Sequence, residues 1–131
     1  MSDIEYVESA AGAELISVGT PGPPGTVNPQ EFTVAYSATP TVNWDAGGDM
    51  AVLTLTGDCV ITLTGTKKKV LLALVQGAGG PHLATFDASV AVGSAGLPTL
   101  STVQGRTDYL GFIKNATTGK YDLAGFSTGF Y

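Results

Sequence analysis

After Phe32 no run of ten residues carries helical periodicity; glycine, proline and aspartate cut the chain into short apolar stretches instead. Such spacing admits strands and little else, because a strand needs four to eight residues and a durable helix considerably more. Phe32–Ser37 alternates large and small side chains with the period of two of a half-buried strand. Met50–Thr56 and Cys59–Thr64 flank Gly57-Asp58, a two-residue gap of hairpin type. In the first of them Val52, Thr54 and Thr56 share one face, and Leu53 and Leu55 the other. Lys69–Gln76 is apolar on both faces and predicts a central strand covered on both sides, ended by the loop Gly77–Pro81. Further strands are expected at Leu83–Phe86, Ser89–Val92, Thr99–Val103, Asp108–Lys114 and Lys120–Phe126, with Asn115–Gly119 a polar hairpin between the last two. Residues 32–131 therefore predict an all-β domain, an antiparallel β-sandwich or jelly-roll-like small barrel.

Composition agrees with that reading. The chain has 131 residues, 18 of them glycine, and 17 are threonine, which suits strands and tight turns. Its length is that of one domain able to bury a real core. Charged residues make up 13%, about half the usual share. No apolar run approaches a membrane span, so no membrane partner is expected. The opening Met-Ser-Asp-Ile-Glu carries acids where a signal peptide carries cations, so no targeting segment is expected either.

The charge is segregated along the chain. Residues 1–66 hold eight acids and no Lys or Arg, whereas residues 67–131 hold six cations against three acids. Six scattered cations on an acidic chain do not make a nucleic-acid surface, which needs them clustered. The segregation suits head-to-tail or arm-to-body contacts between copies, and equally a solvated arm. Residues 1–31 read as that arm. Ala10–Ala13 has the composition for a turn or two of helix, and Gly19–Gly25, with Pro21, Pro23 and Pro24, favours an extended polyproline segment. This segment is either a semi-rigid spacer or a strap along a neighbour. In the second case the prolines together with Glu5, Glu8 and Glu14 are the interaction residues.

Catalytic chemistry has little to work with. A nucleophile would have to be Cys59 or a serine beside His82, the one histidine. Cys59 falls within a strand run and reads as a small buried thiol; His82 follows a Gly-Gly-Pro turn and reads as an exposed loop imidazole. Asp45 and Asp49 bracket Ala46–Gly48 and read as turn-stabilising aspartates, with a weak calcium site the alternative. Gly77-Ala-Gly79 lacks the third glycine of a dinucleotide fingerprint, and no helix is expected after it. Lys67–Lys69 reads as a solvated guard against edge pairing. We expect no catalytic residue, no metal and no cofactor.

One resemblance depends on the order of these pieces. Asn43-Trp44-Asp45, a short loop, Leu53–Gly57, Val60–Thr64, Leu74-Val75-Gln76, Pro98–Ser101, Asp108–Phe112 and a hairpin into Tyr121 follow one another over some 85 residues. In that order they resemble a β-domain of tailed-bacteriophage virion proteins, found at tail-fibre C-termini and in small head-associated proteins. Thr85-Phe86-Asp87 stands where that family carries a tryptophan-proline pair. The resemblance implies a self-associating structural virion domain, commonly a homotrimer, assembled in the host cytoplasm and without catalytic residues. The expected function is a capsid decoration (cement) protein or short head fibre that docks on the major capsid protein or another virion protein. The alternative is a tail-associated receptor-binding protein whose aromatic residues, around Tyr109 or Phe126–Tyr131, meet a cell-surface glycan.

Overall fold

A computed structural model describes residues 30–131. The strands are β1 (Glu31–Val34), β2 (Thr41–Asn43), β3 (Met50–Leu55), β4 (Cys59–Thr64), β5 (Lys69–Gln76), β6 (Ala84–Phe86), β7 (Val90–Ala91), β8 (Thr107–Lys114) and β9 (Tyr121–Phe130), with one helical turn, α1 (Trp44–Gly47). The domain is all-β, as the punctuation predicts. Ahead of Phe32, the Gln30 N–H donates to Asp49 Oδ1 and the Gln30 carbonyl accepts from Met50 N.

The strands form a six-stranded sheet in the order β1-β3-β5-β8-β9-β7 and a three-stranded sheet in the order β2-β4-β6. From β1 to β7 successive strands alternate between the sheets, β8 and β9 then stay in the wide one, and within each sheet β1, β3, β5 and β2, β4, β6 run parallel. The chain thus winds as a coil of three turns of about twenty residues, with Glu31 beside Met50, Met50 beside Leu71, and Thr41 beside Thr62. Only β5–β8 and the β8–β9 hairpin are antiparallel, and they close the wide sheet of the coil.

This corrects the expected antiparallel sandwich or jelly roll in its strand directions, and Gly57-Asp58 is not a hairpin. The reason lies at the corners of the coil, which bond to the corners above and below instead of closing on themselves. Tyr36 Oη donates to the Asp58 carbonyl at 2.8 Å, and Asp58 Oδ1 accepts from Leu83 N at 2.8 Å. Cys59 N donates to Leu83 O, and Gly77 N to Leu55 O. A Cβ on Gly57 would meet the Tyr36 hydroxyl, so the glycine there makes room for a close approach and does not form a hairpin.

One core fills the space between the sheets. Inward residues stack turn upon turn: Phe32 on Ala51 on Leu72, then Leu110; and Val34 on Leu53 on Leu74. Val42 and Leu63, then Ile61 and Phe86, do the same from the narrow sheet. Trp44 is wholly buried, edge-on to Phe32 and tilted against Tyr121. At roughly 25 cal/mol per Å² of apolar surface, this interior is the main stabilising term.

Thr99–Val103 is not a strand. It lies in the connection between β7 and β8, where Asp108 takes the Ser101 N–H at 2.6 Å and the Ser101 hydroxyl at 2.7 Å. A side chain has replaced the ladder there.

Candidate interaction face

The outer face of the six-stranded sheet carries no layer among the described residues. Strand alternation sets its members: Leu110 and Phe112 point into the core, so Tyr109, Gly111 and Ile113 of β8 point out. Cross-strand pairing arranges the outward residues in rows. One row is Glu31, Met50, Leu71, Gly111, Gly125; another is Thr33, Val52, Ala73, Tyr109, Ser127; a third, at the rim, is Lys69, Ile113, Asp122. Lys69–Gln76 was expected to be covered on both sides. It is central and buried on its inner side, yet Leu71 and Val75 stay half-buried on the outer one.

Gly111 and Gly125 face each other across β8 and β9 and floor a furrow of about 300 Å³ walled by Leu71, Tyr109, Phe126 and Ser127. Neither glycine is demanded from within. A Cβ on Gly125 meets nothing within 4 Å, and one on Gly111 makes only an ordinary contact with Gly125 O at 3.7 Å. Beyond the furrow, Phe130 stacks edge-on with Tyr109, and Tyr131 is 83% exposed with the Arg106 guanidinium 4.2 Å from its ring centroid. Asp108, almost fully buried, holds the end of β9 by accepting from Gly129 N at 2.9 Å. Arg106 Nη1 donates to Gly129 O beside it.

The expected titratable candidates are dispersed into structural work. Cys59 is buried in β4, where desolvation, reinforced by the charge of Asp58, pushes its thiol up and away from nucleophilic use. His82 is half-buried rather than exposed: Gln76 grips its backbone on both sides, and its Nε2 lies 2.8 Å from Ala78 O. Asp45 and Asp49, expected to stabilise the turn they bracket, bond instead to segments about twenty residues away. Asp45 accepts from Thr66 N and Oγ1, and that backbone hydrogen bond holds its carboxyl below the usual range. Asp49 accepts from Gln30 N. Asp87 is likewise lowered, first by Ser89 and then by Thr62. Among the described residues no three His, Cys, Asp or Glu side chains gather as metal ligands would.

Lys68 of the basic run donates to Lys114 O, and Lys69 opens β5, a central strand between β3 and β8 rather than a sheet edge. A second hollow of about 500 Å³, lined by His82, Leu83, Leu97, Pro98 and Leu100 among others, opens beside the corner loops, with Asp58 already engaged by Leu83 N. Glu5, Glu8, Glu14, Pro21, Pro23 and Pro24 lie outside the described residues. The glycine pair and the Asp108 knot went unnoticed in the sequence. Gly111, a lone glycine between two core residues of a strand, was the available signal.

Comparison with known protein families, curated proteins and solved structures gives no match.

Proposed function

We propose that this protein is a structural, non-enzymatic component of a tailed-bacteriophage particle, a decoration protein that coats or reinforces the head by packing against copies of itself and against capsid protein. The observation that carries the reading is the outer face of the wide sheet, which no described residue covers: apolar along its middle, with its charges Glu31, Lys69 and Asp122 at the margins, it is suited to subunit packing. The order of motifs from Asn43 to Tyr121 supplies the phage assignment. Residues 1–29, acidic and proline-bearing, serve in this reading as the arm that docks on a neighbour. Many weak contacts repeated over a lattice add up to strong retention without any reactive group.

The exposed aromatic end, Phe130 and Tyr131 with Tyr109 and Arg106, favours a second reading, a tail-associated receptor-binding protein that stacks these rings on a glycan. Quantitative mass spectrometry of purified particles separates the two. Hundreds of copies per particle support decoration, a few or a few dozen support a tail position, and absence from particles overturns both.

A further inference from the structure

We propose that the outer face of the six-stranded sheet is the surface on which a second copy of this chain docks, about a two-fold axis running along β8. The inference rests on the self-association proposed above, not on the phage assignment. Its starting point is the glycine pair. Glycine inside a strand costs about 0.5–1 kcal/mol against alanine, and two of them sit face to face where none of the described residues occupies the space above. Glycine at such a place marks the close approach of another body.

The rows say which body. A rotation about β8 exchanges the β5 and β9 sides of the face, so each row meets its own reverse. Leu71 of one copy then stands over Gly125 of the other, its side chain entering the furrow that the glycine leaves open. Lys69 stands over Asp122, opposite charges at the rim, with Ile113 meeting Ile113 between them. Val75 stands over Phe130 through the row that contains Thr107. Large opposes small, and plus opposes minus; the face is complementary to itself, as a two-fold contact requires. The contact centres on the three longest strands, β5, β8 and β9, of eight, eight and ten residues.

Sedimentation velocity of the full chain at micromolar concentration, with circular dichroism to confirm folding, tests the proposal. The wild type is expected to be a dimer. Gly125→Val, which blocks the furrow, and Ile113→Lys, which puts like charges together, should each weaken dimerisation at least tenfold. Val60→Lys, at a position of the same 43% exposure on the narrow sheet, should leave it unchanged. Adding Leu71→Ala to Gly125→Val should restore much of the loss, because it clears the space that the valine fills. A monomeric wild type overturns both this inference and the self-association behind it. A trimer, or an oligomer indifferent to Gly125→Val and Ile113→Lys, overturns the two-fold face while leaving self-association standing. Should Gly125→Val fail to fold, the contrast between Ile113→Lys and Val60→Lys decides alone.

Discussion

Asp108 shows how a charged side chain can serve the fold while standing among strand residues. It is nearly inaccessible, yet the Ser101 N–H and hydroxyl and the Gly129 N–H all donate to it. Three donors compensate the lost hydration, and together they pin the long β7–β8 connection and the end of β9 to one point. Asp108→Ala leaves two half-buried backbone N–H groups without their partner and is expected to cost about 2–3 kcal/mol in urea unfolding. Two surface carboxylates tie stability to pH. Asp45 and Asp87 have lowered folded values, so their contribution is complete above the unfolded value near ~4 and is lost as pH falls through the folded one. Asp87→Asn should therefore melt below wild type at pH 7 by about a degree or two, since solvent screens such exposed groups, and the gap should close in melts near pH 2. None of this was legible from residue identity alone: an aspartate before an apolar run looks the same whether it faces water or three donors.

At the scale of elements, period-two alternation was a sound guide and local turn signals were not. Cys59–Thr64 is β4 to the residue, because its alternation is set by one buried face. The short gap after Leu55 looked like a hairpin because hairpins are recognised from two residues, whereas the Tyr36 and Leu83 bonds that define the corner lie some twenty residues away in each direction. β9 outruns its expected end at Phe126 because pairing of Thr107 with Phe130 continues past a bulge, a partner invisible in the strand itself. The corner between β5 and β6 offers a test of this view. Gln76 imitates a strand neighbour, its Nε2 donating to His82 O at 2.7 Å and its Oε1 accepting from His82 N at 3.2 Å. Gln76→Ala should destabilise by about 1–3 kcal/mol, and hydrogen exchange should quicken at residues 77–83 before the core strands.

For the whole molecule, the first turn of the coil decides how truncation should be made. Gln30 is bonded to Asp49 and Met50, and Phe32 and Val34 pack on the core, so a cut after residue 29 spares the first turn while a cut after Val34 strips it. Deleting residues 2–29 should keep the cooperative melt of the full chain, and deleting 2–34 should lower it sharply, both read by circular dichroism. If the arm anchors the protein, the shorter deletion should also lose most of its occupancy on particles. The low share of charge and the single core were readable from composition, but the winding was not, because parallel neighbours are specified by contacts between turns and no one segment contains them.

The coil has one more consequence. Since Met50 sits beside Glu31 and Leu71 beside Met50, residues 50–70 begin and end at equivalent points of successive turns. Duplicating that stretch would add a storey about 4.8 Å tall and leave the foundation and the roof as they are. Such a fold is in effect a ruler, and a lineage built on it could change its reach in fixed steps while keeping both of its ends.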